Sequence, residues 1–333
     1  MTRNIDAAAQ IDGREGTGQP SSDKRVPILK VRVFGGFDVS LDDSPIESAY
    51  SRQRRIQALM SILALNHGQD LFCDYLADSI WPRSTIEKKR HSFYNLWYLT
   101  TRSVYEGKRE ENPYFERRQG TCRMLDAHVH TDVQDVEQAC IDLMQHDLEP
   151  YDALEAYRRL QEAYRGDLLP GEMENGIIIR ARRDWRERVS SSLSVAAQTM
   201  TKRGEDRVAL WMATAACRLS GMREDVVRLR MELLAKMGMQ AYAVRTFNEL
   251  EDYLQDEVGM APSPQSVQLI RQVVDASDLG FALAVQTPAP RRRGTRSQAS
   301  SQPARREPKR QEKAEFACGD ALPMQVGYYP RPM

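Results

Sequence analysis

The order in which the hydrophobic period changes along the chain constrains its fold most. Residues 28–41 alternate apolar and polar side chains around Gly35 and Gly36, which predicts two short strands followed by a turn at 42–45. The period then becomes helical, before a second alternating stretch. We predict three helices, at 51–66, 70–81 and 84–105, and a β-hairpin over 113–131 with its turn at 119–120. Strands, three helices and a hairpin in this order are typical of a winged helix-turn-helix.

The third predicted helix has one apolar and one polar face. Its apolar side chains, which we expect to be buried, are Phe93, Leu96, Trp97, Thr100 and Val104. The other face presents His91, Tyr94, Asn95 and Tyr98. A helix fits the major groove of DNA, and polar or aromatic groups on its exposed face can reach base edges. We therefore regard these four residues as candidates for base contacts.

Basic side chains cluster at the helix starts and around the hairpin turn. The candidates for contacts to phosphate are Arg52, Arg54, Arg55, Lys88, Lys89, Arg90, Arg102, Arg117, Arg118 and Arg123. A single basic helix face is more often only solvated. Three-helix order, a basic helix start and an arginine-bearing hairpin together favour DNA over solvation alone.

The long stretch from residue 132 to about 275 has helical periodicity throughout. A weak repeat of about 34 residues runs through it: Ala209 and Ala213 align with Ala243 and Phe247, and Leu219 aligns with Tyr253. This period predicts stacked helix pairs of the tetratricopeptide type. Two tryptophans on its apolar faces, Trp185 and Trp211, are expected in the core.

Composition divides the chain further. We predict a disordered segment at 1–27, a DNA-binding domain at 28–131, a helical repeat domain at 132–285 and a basic disordered tail at 286–333, in a mainly α protein with small N-terminal β-sheets. The formal net charge is zero. Residues 51–123, however, hold 13 basic and 8 acidic side chains, and residues 124–285 hold 18 and 27. A neutral chain can therefore still bind nucleic acid through a local positive field.

Several segments carry a family resemblance. Residues 29–39, LKVRVFGGFDV, 51–60, SRQRRIQALM, and 76–82, LADSIWP, resemble the opening strands and first two helices of the antibiotic regulatory protein (SARP) family. Three later segments resemble the bacterial transcriptional activator domain of that family: 164–169, YRGDLL, 185–188, WRER, and 254–264, LQDEVGMAPSP. The resemblance covers about 28–275. It implies an OmpR-type DNA-binding domain and a helical domain for dimerisation and for contacts with the transcription machinery.

Two positions depart from the family pattern. The third helix has Leu99, Thr100, Thr101 and Arg102 where paired arginines are typical, and the hairpin has Gly120-Thr121 where Gly-Tyr is usual. Both departures bear on the DNA target and on DNA affinity, and neither bears on the fold.

Other classes of function find little support. No phosphate-binding loop, nucleophile elbow or zinc-protease motif occurs, so we predict no enzyme, no catalytic residue and no cofactor. His128 and His130 lack further metal ligands nearby, and we expect no metal site. No apolar run is long enough for a membrane span, and five scattered cysteines favour a reducing cytoplasm.

The leading hypothesis is a sequence-specific regulator, expected to be an activator, whose partners are double-stranded DNA, RNA polymerase and a second copy of the chain. The alternative is a protein-interaction scaffold that uses the acidic helical domain, with little or no specific DNA binding.

Overall fold

The computed structural model describes residues 25–46, 53–108 and 111–276. The predictions for residues 1–24 and for the basic tail therefore lie outside the described residues, as does Arg52. Within the described part, the prediction of a mainly helical protein with small N-terminal sheets is confirmed.

The first sheet collects strands from both ends of the N-terminal region. Its strands, in the spatial order β3-β2-β1-β7, are β1 (Leu29–Arg32), β2 (Asp38–Leu41), β3 (Ser44–Pro45) and β7 (Val129–Thr131). β1 runs antiparallel to β2 and parallel to β7. The turn predicted at 42–45 is shorter than expected, because only Asp42 and Asp43 adopt positive φ and β3 already pairs with β2.

A compact helical unit and a second sheet follow. The elements are α1 (Arg54–Leu65), β4 (Leu71–Phe72), α2 (Cys73–Ile80), α3 (Ile86–Arg102), β5 (Phe115–Arg118) and β6 (Thr121–Met124). β4, β6 and β5 form the sheet in that order, with the predicted turn at 119–120 between β5 and β6. The five side chains predicted to be buried in the third helix are buried, although α3 ends at Arg102 and Val104 lies just beyond it.

The second helix differs from its prediction. The predicted helix 70–81 includes Leu71, but this residue lies in β4, paired with Cys122, so the helix begins only at Cys73. Tyr75 of α2 is 54% exposed. Pairing with a hairpin strand about 50 residues later overrides the local helical period here.

The rest of the described chain is a stack of helices. They are α4 (Asp132–Leu143), α5 (Pro150–Ala163), α6 (Gly176–Lys202), α7 (Asp206–Leu219), α8 (Glu224–Lys236), α9 (Gln240–Tyr253) and α10 (Pro264–Asp275), with a π-helical turn at Leu254–Val258. Both ends of α7 and α9 are 34 residues apart, in agreement with the predicted period. Ala209 and its counterpart Ala243 are fully buried. No helix among the described residues is long and apolar enough to span a bilayer.

The two tryptophans of the helical region differ from each other. Trp185 is half-buried, with its ring edge against Phe34 of the N-terminal region. Trp211 is 41% exposed and lies under the guanidinium of Arg207, so the prediction that it belongs to the core is wrong. At this position α7 faces solvent, which the spacing of apolar residues along the helix does not reveal.

The loop between α5 and α6 joins the helical region to β1. Leu168 bridges to Phe34, the Leu169 N–H donates to the Val33 carbonyl at 2.8 Å, and Gly35 N–H donates to the Asp167 carbonyl at 2.9 Å. The loop thus adds a short strand-like segment beyond the end of β1. As a result, one hydrophobic core runs from the winged-helix region into the helices up to α8.

Candidate nucleic-acid interface

The exposed face of α3 carries the four candidates for base contacts. His91, Tyr94, Asn95 and Tyr98 are all exposed, the two tyrosines by 50% and 59%. The ring of His91 and the Asn95 amide lie 3.3 Å apart, one helical turn from each other. The buried stripe of Phe93, Leu96 and Trp97 fixes the helix to the core and leaves this face free.

The basic start of α3 is partly neutralised by α2. Arg90 donates two hydrogen bonds to the Asp74 carboxylate, at 3.1 and 2.9 Å, and Lys89 pairs with Asp78 at 2.8 Å. The bonds from Arg90 lower the pKa of Asp74 and raise that of Arg90. Lys88 is exposed and has no ion pair among the described residues.

The hairpin arginines are paired in a similar way. Glu116 accepts from Arg118 at 2.8 Å and from Arg123 at 2.6 Å, and both bonds lower its pKa. Asp70 lies 3.9 Å from Arg123. Exposed ion pairs contribute only about 0–1 kcal/mol, so phosphate groups could displace these carboxylates at small cost.

The two described arginines at the start of α1 lie against neighbouring elements. Arg54 donates to the Gly171 carbonyl in the helical region at 2.9 Å. The guanidinium of Arg55 lies 5.4 Å from the ring centroid of Trp81. Arg54 therefore braces the two parts of the chain, whereas Arg55 is exposed beside the end of α2.

A cleft separates the second half of α3 from the hairpin. Its volume is about 260 Å³, and its lining residues are Tyr94, Trp97, Tyr98, Thr101, Arg102, Tyr105, Gly107, Asn112 and Arg117. Arg117 lies over the Tyr94 ring, 4.5 Å from its centroid. Arg102 donates to the Glu106 carbonyl at 2.5 Å. Neither guanidinium is paired with a carboxylate among the described residues, so the cleft holds two positive charges that no ion pair offsets.

The cleft brings together four of the sequence-predicted residues, Tyr94, Tyr98, Arg102 and Arg117, and adds Tyr105 and Asn112, which the sequence analysis missed. The sequence does not single out Asp74 and Glu116 either. Asp74 meets Arg90 only through the packing of α2 against α3, and Glu116 meets Arg123 through the pairing of β5 with β6.

His130, one of the two histidines considered as metal ligands, belongs to β7. His130 lies 2.9 Å from the Asp135 carboxylate. No group of three or more potential metal-ligating side chains occurs within the part of the chain that the structure describes.

Comparisons with known proteins agree with this architecture. Residues 131–274 match the family model described as bacterial transcriptional activator domain. A solved structure of Mycobacterium tuberculosis EmbR in complex with a low-affinity phosphopeptide is similar in fold, with a TM-score of 0.60 at 14% identity. The match covers 75% of this chain and 66% of the EmbR chain, just under two thirds of it. No curated protein matches the chain.

Proposed function

We propose that the chain is a transcriptional regulator of the SARP type and that it binds double-stranded promoter DNA through α3 and the β5–β6 hairpin. The match of residues 131–274 to the bacterial transcriptional activator domain supports the first part of this proposal. In this proposal α3 enters the major groove, and the side chains of His91, Tyr94, Asn95 and Tyr98 reach base edges. The hairpin lies on the neighbouring backbone.

The observation that carries the proposal is the cleft between α3 and the hairpin. Arg102 and Arg117 sit there beside the exposed tyrosines of the polar face of α3. Guanidinium groups without carboxylate partners attract phosphate in a sequence-independent way, and a neighbouring polar helix face can supply sequence preference. The paired arginines of α3 and the hairpin become available once phosphate replaces their carboxylate partners.

Binding of labelled genomic fragments, measured by electrophoretic shift and fluorescence anisotropy at several salt concentrations, tests this proposal. We expect affinity to fall steeply with salt, and Asn95→Ala to reduce the preference for the selected fragment over random duplex. Arg117→Ala should weaken binding to both duplexes alike and reduce the salt slope by about one. Arg245→Ala, at an exposed position of α9, is the matched control and should change neither the affinity nor the salt slope. Equal affinity of the wild type for selected and random duplexes would contradict sequence-specific binding.

We further propose that the chain binds DNA as a homodimer and that its helical domain contacts RNA polymerase. Membership of the bacterial transcriptional activator domain family supports both, because the family resemblance implies paired half-sites and contacts with the transcription machinery. Sedimentation of the protein with and without a duplex carrying the selected site tests the first point. A monomer on that duplex would contradict it.

A second candidate function, a protein-interaction scaffold, is favoured by one observation. Lys89, Arg90, Arg118 and Arg123, all proposed as phosphate contacts, are each paired with a carboxylate. The scaffold predicts no retarded fragment at micromolar protein in low salt, whereas the DNA-binding proposal predicts a clear shift under the same conditions.

A further inference from the structure

Two cysteines, Cys73 and Cys122, lie on the buried side of the β5–β6 hairpin. Leu71 of β4 pairs with Cys122 of β6, and the next pair along the register is Phe72 with Thr121. The Cys73 N–H then donates to the Gly120 carbonyl at 2.8 Å. This register places Cys73, the first residue of α2, diagonally across from Cys122 on the same inner side, where both side chains are buried.

The two thiols have different electrostatic surroundings. The neighbouring Cys122 thiol lowers the pKa of Cys73 against the effect of burial, and the positive charge of Arg117 adds to the lowering. Interaction with Cys73, together with burial, raises the pKa of Cys122. Both residues are buried, and Cys73, at 8% exposure against 1% for Cys122, is the less enclosed of the two. Thiolate character and access are what make a cysteine react with oxidants.

We propose that Cys73 and Cys122 form a reversible intramolecular disulfide when the protein meets a peroxide. The Cys73 thiolate attacks one peroxide oxygen, the O–O bond breaks, and a sulfenic acid forms. The leaving hydroxide takes the proton that Cys73 released, which gives water. The sulfur of Cys122 then attacks the sulfenic sulfur and displaces its hydroxyl, which leaves as a second water with the proton of Cys122. Two thiols are oxidised, one peroxide is reduced, and a dithiol reverses the change.

The disulfide would connect the elements that line the cleft. A covalent S–S bond holds two sulfurs closer than non-bonded contact does, so its formation draws the start of α2 towards β6. Asp74, the next residue of α2, holds Arg90 of α3, and Arg117 is the cross-strand partner of Cys122. Oxidation therefore shifts α3 relative to the hairpin. Resting here on the proposed function, we infer that the oxidised protein binds DNA more weakly.

Peptide mass spectrometry of the full chain tests the covalent step. After treatment with hydrogen peroxide, tryptic peptides 56–83 and 119–123, which contain the two cysteines, should appear linked, with the loss of two hydrogens. Dithiothreitol should separate them, and Cys73→Ser should abolish the link. Cys140→Ser, which removes another buried thiol, is the matched control and should leave the link intact. If Cys73 is oxidised to a sulfinic acid while Cys122 keeps its free thiol, the disulfide proposal is overturned.

The effect on DNA is measured separately. By fluorescence anisotropy, oxidation should lower the affinity of the wild type for duplex DNA by roughly fivefold or more, at the lower end of usual coupling between sites. The loss should reverse with dithiothreitol and be absent in Cys73→Ser, whose fold is checked by circular dichroism. A linked protein with unchanged affinity overturns the regulatory inference. A reduced wild type that binds no DNA contradicts the proposed function, without bearing on the disulfide.

Discussion

Two glycines meet where the winged-helix region joins the helical region. Gly35 follows the end of β1 at φ 79°, and a methyl group on it would lie 3.0 Å from the backbone of Arg165. A methyl group on Gly166 would lie 3.1 Å from the Cα of Gly35. The backbones can approach and exchange hydrogen bonds only because neither residue has a side chain.

Replacing Gly35 should therefore weaken the joint. We expect Gly35→Ala to lower the free energy of unfolding by about 2–3 kcal/mol, since a left-handed φ costs an L-residue about 1–2 kcal/mol and the contact with rigid backbone adds to it. Gly120→Ala is the control: its φ is 77°, and nothing lies within 4 Å of the added carbon, so only the backbone cost of about 1 kcal/mol remains. Urea unfolding compares the two variants, and equal losses would contradict a packed joint.

Asp132 is the buried carboxylate of the same joint. It accepts from the Val33 N–H at 2.9 and 3.1 Å and from the Phe34 N–H at 2.9 Å. Burial raises its pKa to about 6, more than these hydrogen bonds lower it. Asp132 thus fixes the end of β1 to the first turn of α4, at the cost of holding a charge out of water.

This carboxyl predicts a pH dependence with a definite sign. The carboxyl of Asp132 holds its proton more tightly in the folded protein than in the unfolded chain, where its pKa is near 3.8. The free energy of unfolding should therefore fall as pH rises from about 4 to about 6, by at most roughly 3 kcal/mol. Urea unfolding of the wild type and Asp132→Asn at several pH values should show the difference between them changing across this range. Parallel curves would rule the titration out.

Among the elements, the start of α10 is hydrogen-bonded to one carboxylate of α8. Glu224 of α8 accepts from the Ser263 N–H at 2.9 Å and from the hydroxyls of Ser263 and Ser266 at 2.6 Å each. Ser263 is also the N-cap of α10. Partial burial raises the pKa of Glu224, but the hydrogen bonds from the two serines outweigh it, so the net pKa is lowered. The family-like segment 254–264 thus ends in a cap that a distant helix completes.

Removing that charge should loosen α10 selectively. We expect Glu224→Gln to cost about 1–2 kcal/mol, because it removes charge-assisted acceptors from three donors. Hydrogen exchange should quicken in α10 more than in α4. Because the lowered pKa makes the wild-type contribution present at neutral pH and lost in acid, the two proteins should converge in stability as pH falls. Glu232→Gln, at an exposed position of the same helix, should behave as the wild type.

In the molecule as a whole, the N-terminal region and the helices from α4 to α8 share one hydrophobic core. Phe34 is fully buried, with its ring 4.9 Å from that of Tyr164 and 5.6 Å from that of Trp185, measured between centroids. A second cluster, built from α8, α9 and α10, lies apart from this core. The ring of Phe34 therefore joins the end of β1 to the region of α5 and α6 through direct side-chain packing.

Replacing Phe34 with alanine should weaken the packing between β1 and residues 164–172. We expect Phe34→Ala to cost about 3–5 kcal/mol, the usual range for a buried phenylalanine, and to quicken hydrogen exchange in both β1 and residues 164–172. Phe72→Ala, at a 70% exposed position, should cost little and leave exchange unchanged. If exchange in β1 rises while 164–172 stay protected, the two segments are not held by a common core.

The sequence by itself indicates the first three helices, the buried stripe of α3 and the period of the helical pairs, because each follows from the spacing of apolar side chains along one element. It also determined which side chains of α3 are exposed, since exposure of a helix face follows from burial of the opposite one. The helix boundaries and the strand at Leu71 were less accessible, because pairing with β6 competes with local preference there.

Which charges and thiols come together depends on the tertiary fold. Asp74 reaches Arg90, Glu224 reaches Ser263, and Cys73 reaches Cys122 across separations of 16, 39 and 49 residues. Such contacts depend on the register of strands and the packing of helices, and no periodicity in the chain encodes them. The same holds for the cleft between α3 and the hairpin, on which the proposal of DNA binding rests. The sequence predicts four of its residues, but not its shape or its unpaired guanidinium groups.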